Sequence, residues 1–309
     1  MSDNTTAIWT NPGFRHDASF FLEVDSSNPG GDPENEGSPH VFTDDNIGFM
    51  TDVSLKSRLR AYWALLGHEV LMRTDVLNDQ FEAVYKELGL PLKGKGKPNP
   101  KGDVAAGMRA LKAKFLDVRM HGAVATTGHA SCGKITGPFQ VATGFSTDPI
   151  TVEDPQITRK SITTQEKKED QGTMGRKPFV RYGIYRFNIF YSPNENLDGA
   201  LTAEDIKLFW DALRRHHEVT RSAARTGIRP IGLYIWTHEG RFGRWKDSSY
   251  SINDMLTPHL RPGIEQPTQI TDYKVWADDT PLPKGVHLTK LIDMEDVIAR
   301  AARVPGRMS

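Results

Sequence analysis

Residues 179–191, FVRYGIYRFNIFY, are dense in aromatic and β-branched side chains. That is the composition of a strand, and a strand this apolar needs partners and a core. Two other stretches read the same way. In DASFFLEVD (17–25), Ala18, Phe20, Leu22 and Val24 alternate onto one side. RPIGLYIWT (229–237) forms a last strand. FLDVRMHGAVA (115–125) and GPFQVATGFST (137–147) are expected to add two more. Two helix patterns lie between these strands. Leu55, Leu59, Tyr62, Leu66 and Val70 recur every three to four residues and predict a helix over about 53–72. Thr202 and Asp205 have the spacing of a capping box. The helix they open is expected to reach about 224, with Ile206, Phe209, Trp210, Leu213 and His217 on one face.

The resulting order is strand, helix, strand, strand, helix, strand. It is that of a ferredoxin-like βαββαβ core, an α+β fold that also builds the RNA recognition motif. Such a fold hosts many functions, so the topology alone names none. Long insertions interrupt it at 26–51, 75–114 and 126–178. Loops this long in a compact domain are usually functional or disordered. The 75–114 insertion is helical around a tether, KGKGKPNPKG, at 93–102. Residues 238–309 form a loop-rich tail ending in a short helix near 293–303.

The 309 residues allow one large domain or two ordinary ones. No apolar run reaches the roughly 18 residues of a membrane span, and MSDNTTAIWTNPG lacks the features of a signal peptide. The single cysteine, Cys132, excludes an internal disulfide. A cytoplasmic location is the default expectation.

The 39 basic and 39 acidic residues cancel, but they are segregated. Residues 1–50 carry nine acids and one base, Arg15. Residues 93–119 and 159–186 carry eight bases each, against two and three acids. Surface fields follow local clustering rather than the sum. The basic stretches suit a polyanion, and the acidic one suits a basic face on another copy. Solvated loops would read the same.

Glycine-rich and basic segments carry the candidate sites. The loop NPGGDPENEG (28–37) offers Gly30 and Gly31 for positive φ or close backbone approach. Its backbone N–H groups suit an anion, while Asp32, Glu34 and Glu36 suit a divalent metal or a plain acidic turn. Lys56, Arg58 and Arg60 follow on the first helix, with Lys56 and Arg60 sharing a face. HASCGKITG places Lys134 between Gly133 and Gly137 but misses the phosphate-loop pattern, because Ile135 follows the lysine. His216 and His217 are adjacent, so they point about 100° apart and cannot ligate one metal as a helical pair. In TMGRKPFVRYG (173–183), Met174 stands beside Arg176 and Lys177. An apolar wedge next to cations can unstack a base, and a core methionine would look the same. No nucleophile, cofactor or zinc-protease motif occurs.

Four stretches in order resemble a known family. NPGGDPENEG leads into MTDVSLKSRLRAYW, and DVRMHGAV into GKITGPFQV. DPITVEDPQITRKSIT leads into TMGRKPFVRYGIYRF, and the last helix ends in TRSAARTGIRPIGLYIW. Together they resemble the seventh Cas protein family, the repeated backbone subunit of CRISPR Cascade complexes, and most closely its subtype I-C branch. The resemblance implies a hand-shaped single domain without catalysis or cofactor. Its palm would span about 17–25, 53–72, 115–147 and 179–237. A finger-type insertion would span about 75–114, a thumb about 148–178 and a tail 238–309. Implied partners are CRISPR RNA, target DNA through guide pairing, other copies head-to-tail and other Cascade subunits, with no membrane. RNA contacts would fall on Asn28, Gly30, Gly31, Lys56, Arg58, Arg60, Gly133, Lys134, Arg159, Lys160, Met174, Arg176 and Lys177. Lys93, Lys95, Lys97 and Lys101 are candidate DNA contacts. The family loop usually reads NPNGDP, and Gly30 here removes one side chain that could meet RNA. Type III relatives cleave RNA through an acidic loop residue and a metal, so Asp32 carries the alternative expectation of a metal-dependent endoribonuclease.

Overall fold

The computed structural model describes residues 7–93, 99–159, 173–243 and 252–303. The chain opens with β1 (Arg15–Ser27), the short pair β2 (Gly31–Asp32) and β3 (Ser38–Pro39), and β4 (Ile47–Met50). Four helices follow: α1 (Asp52–Leu65), α2 (Leu77–Glu87), α3 (Lys101–Lys114) and α4 (Leu116–His121). Then come β5 (Gly122–Ala125), β6 (Gly133–Thr136), β7 (Phe139–Val141), β8 (Gly144–Pro149) and β9 (Val152–Glu153). The hairpin β10 (Gln156–Arg159) and β11 (Thr173–Arg176) leads into β12 (Phe179–Tyr191). The rest is α5 (Ala203–Val219), β13 (Ile228–His238), β14 (Leu256–Leu260), β15 (Tyr273–Ala277), β16 (Val286–Ile292) and α6 (Met294–Ala301).

The fold is α+β around one large antiparallel sheet of order β16-β13-β1-β12-β8-β4, with β7 and β9 also pairing to β12. The strands expected at 17–25, 179–191 and 229–237 are its three central neighbours. Both faces are covered. Ala18, Phe20, Leu22 and Val24 of β1 pack with Leu55, Leu59 and Trp63 of α1 and with Phe209, Trp210 and Leu213 of α5. On the other face Phe21, Tyr234 and Trp236 meet Leu256, Tyr273 and Met294 from the tail. The tail is therefore more than loop and helix: it supplies an edge strand and the second core. A third cluster joins Phe81, Tyr85, Leu111, Phe115, Val118 and Ile135, so the inserted helices have a core of their own.

Three local expectations change. The stretch 115–125 is α4 followed by β5 rather than one strand. Leu116 and Met120 face the main core while Phe115 and Val118 face the insertion core. A helix buried on both sides loses the one-sided apolar stripe that would have marked it. α1 stops at Leu65, because Gly67 turns the chain at φ +89° and Leu66 is exposed. α5 starts at the expected capping box but ends at Val219. Its fully buried histidine is His216, whereas His217 is only partly buried.

Burial pushes His16 down to about 4, although Asp17 pulls the other way. Burial likewise pushes His121 and His216 down to about 3. In the unfolded chain these rings bind protons near pH 6.5, so below that pH the unfolded state takes up more protons than the folded one. Stability should fall as pH drops from about 6.5 toward 4, each ring contributing up to about 1.4 kcal/mol per pH unit. Urea unfolding at pH 6.5 and 5 checks this. The His16→Gln variant should show a shallower pH dependence, by one proton. An unchanged slope would mean that His16 is not held neutral.

Candidate nucleic-acid interface

The glycine loop sits where three segments meet. Asn28 lies just beyond β1, and its side-chain N–H groups donate to the carbonyls of Gly37 (2.8 Å) and Pro178 (3.2 Å). Its backbone N–H donates to Ala224 O at 2.7 Å. Ser27 Oγ accepts from Gly227 N at 2.9 Å. Asn28 thus holds the loop, the start of β12 and the 220–227 turn together. Gly31 is required by close approach: a Cβ there would strike the Gly37 backbone. The positive φ angles fall later in the loop, at Glu36 and Gly37, and not at Gly30 or Gly31.

The loop rests on α1, whose N-terminus is capped by Thr51 Oγ1 accepting from Ser54 N at 3.2 Å. The three bases of α1 diverge. Arg58 is 5% exposed and donates through Nη2 to Pro29 O, under the glycine loop. Its Nε has no hydrogen-bond partner, and among the described residues no carboxylate pairs with it. Burial, then the neighbouring Arg225, push its guanidinium down to about 9. A buried cation with a second cation beside it, and no anion, is costly unless something else brings the negative charge. Lys177, next to Pro178, is exposed and makes no ion pair among the described residues, and the same holds for Arg221 in the turn.

Lys56 and Arg60 do share a face, but both are engaged. Lys56 Nζ pairs with Asp52 at 2.8 Å. Arg60 Nε pairs with the buried Asp117 at 3.0 Å. Asp117 also accepts from the backbone N–H groups of Leu71 (2.8 Å) and Met72 (3.1 Å). Arg60 is therefore a joint between α1 and the insertion. Nearby, Gly137 is pressed against the backbone of Met120, His121 and Gly122. Gly133 opens β6 at φ +88°, and Lys134 beside it is exposed.

The hairpin root is tied to the same loop. Arg176 Nη1 pairs with Glu36 at 2.6 Å, and its Nη2 pairs with Asp154. Those two carboxylates hold its charge up, so it is not an unoccupied cation. Met174 and Arg159 lie on the paired strands β11 and β10. Lys160, Lys95 and Lys97 fall outside the described residues. Lys93 donates its backbone N–H to His129 O at 3.2 Å, and Lys101 is an exposed first residue of α3.

Asp32 caps the turn after it by accepting from Glu34 N at 2.9 Å. Among the described residues, no three His, Cys, Asp or Glu side chains gather as metal ligands. The acidic loop thus gives no support to the expectation of metal-dependent RNA cleavage. No helix among the described residues is long and apolar enough to cross a membrane. Sequence reasoning missed Arg225 and Arg221. The only signal was their position in the TRSAARTG turn, where arginines usually read as solvated.

A family model for the CRISPR-associated protein Cas7 matches residues 14–278. The chain belongs to the Cas7 family. The match takes in the glycine loop, α1, the insertion, the hairpin and the 220–227 turn. No curated protein matches this Cas7 chain. Among solved structures it is similar to a chain of "CRISPR RNA-guided surveillance complex, pre-nicking", with 14% identity and a TM-score of 0.47 over 72% of this chain and 78% of that one. A chain of "CRISPR RNA-guided surveillance complex" has 15% identity and a TM-score of 0.41, over 72% and 68%. A chain of the "Type III-B Cmr-beta bound to cognate target RNA" has 10% identity and a TM-score of 0.40, over 72% and 61%.

Proposed function

We propose that this Cas7 chain is a non-catalytic backbone subunit of a type I Cascade complex, of the subtype I-C kind. Copies line up head-to-tail on the CRISPR RNA, next to other Cascade subunits, and present guide bases for pairing with target DNA. The reading rests on family membership and on one observation, the buried Arg58 with Arg225 beside it and no carboxylate. An RNA phosphate at the Asn28–Gly31 loop supplies the missing anion. A guide that is read by base pairing must be held by its backbone, so cations and backbone donors suffice. The strand order β13-β1-β12-β8, with α1 and α5 on one face, supports a ferredoxin-like palm. The insertion and the β10–β11 hairpin then serve as finger and thumb, with Met174 as the wedge. Lys134, Arg159, Lys160 and Lys177 add RNA contacts, and Lys93, Lys95 and Lys97 reach DNA. The site acts in the cytoplasm.

The test is the nucleic-acid content and mass of the purified protein, by absorbance ratio and light scattering. Large particles carrying short RNA are expected. A nucleic-acid-free monomer that ignores single-stranded RNA at low salt would overturn the proposal.

A further inference from the structure

A row of rings lies on the β4 edge of the sheet. His40 stacks on Phe49 at 4.8 Å and 18°. Phe49 stacks on Phe42 at 4.9 Å and 30°. Phe42 stacks on Phe145 at 6.1 Å and 20°. Phe49 and Phe145 are cross-strand partners on β4 and β8. The row ends in the open: Phe42 and Phe145 are 42% and 43% exposed. Beside it lies a cleft of about 710 Å³ lined by Asp32, His40, Phe42, Phe49, Asp154 and Arg176, among others. Asp154 gives one oxygen to Arg176, and its Oδ1 has no hydrogen-bond partner. Glu34 and Asp44, next in sequence to the lining residues Asn35 and Thr43, are exposed.

Flat aromatic faces among carboxylates suit an arginine or lysine side chain, which stacks on the ring and pairs with the acid. The same acids repel a phosphate backbone. α3 carries a matching surface. Lys101, Ala105, Arg109 and Ala113 are exposed at four-residue spacing and form one stripe. Its neighbours Lys112 and Lys114 are paired with Asp198 and Glu87, but Lys101 and Arg109 make no ion pair among the described residues. The two free cations stand about 12 Å apart along the helix, with small residues between them.

We propose that the aromatic cleft at the β4 edge receives the Lys101–Arg109 face of α3 from a second copy of this chain. Donor and acceptor are different surfaces, so the contact is head-to-tail and extends rather than closing into a two-fold dimer. The inference deepens the proposed function by assigning the two faces of the filament joint, but the joint itself needs no RNA.

Two variants isolate one joint. Lys101→Glu with Arg109→Glu leaves only the cleft, and Phe42→Ser with Asp44→Lys leaves only the helix face. All four side chains are exposed, so the fold should persist. At low salt without RNA, each variant alone should be a monomer in light scattering. Their mixture should stop at a one-to-one dimer that dissociates as salt rises, while the unaltered chain forms larger species. The inference fails if the mixture or the unaltered chain stays monomeric, or if either variant alone assembles like the unaltered chain. Binding to an RNA long enough for one copy should be unchanged in both. If it is intact while assembly is absent, only the joint is wrong and the RNA reading stands. If Phe42→Ser with Asp44→Lys assembles normally but loses RNA, the rings hold a base and the joint is wrong.

Discussion

Asp117→Ala should be the most destabilising single change in the interface region, costing about 3–5 kcal/mol, the usual loss when one partner of a buried ion pair is removed. The carboxylate is 1% exposed and holds Arg60 Nε together with the backbone N–H groups of Leu71 and Met72. Its loss strands a cation on a side chain that is only 13% exposed, and two amides with it. Domains are stable by about 5–15 kcal/mol, so this is a large share. Asp52→Ala breaks the Lys56 pair instead. That pair spans one helical turn nearer solvent and should cost under about 1 kcal/mol. Urea unfolding of both variants decides the matter. A loss at Asp117 no larger than at Asp52 would remove the case for a joint between α1 and the insertion. Because that joint aims the inserted helices, the Asp117 variant should also loosen α2 and α3 in hydrogen exchange before the sheet opens.

What the sequence made legible follows from where each signal originates. β1, β12 and β13 were readable because their aromatic and branched side chains recur within the strand itself. The capping box of α5 was readable because Thr202 and Asp205 are three residues apart and bond each other's backbone. Asp117 was not readable, because its partners lie 45, 46 and 57 residues away in sequence. α4 was hidden by having a core on each side. The ring row of His40, Phe42, Phe49 and Phe145 was hidden because three of its members lie in a segment, 26–51, whose glycines, prolines and acids mark it as a loop. Lys56, Arg58 and Arg60 were legible as three bases on one helix, yet spacing alone did not reveal that Arg58 would be buried while the other two would be paired.

That difference makes Arg58→Met the sharpest test of the interface. A guanidinium that is buried, lacks a carboxylate partner among the described residues and sits near Arg225 should weaken the free protein. Replacing such a charge with an apolar side chain of similar length is commonly neutral or stabilising. The variant should therefore unfold at the same or higher urea concentration. RNA affinity should move the other way. A hydrogen bond to a charged group contributes about 1.5–3 kcal/mol, so affinity should fall about 10- to 100-fold. For single strands, log affinity falls with log salt by about 0.7 per phosphate contact, and the variant should lose about one such step of slope. Opposite signs in stability and affinity are the signature of a charge kept for its ligand. A variant that loses both would make Arg58 a structural prop for Pro29. One that loses neither would free the Asn28–Gly31 loop from any role in holding RNA.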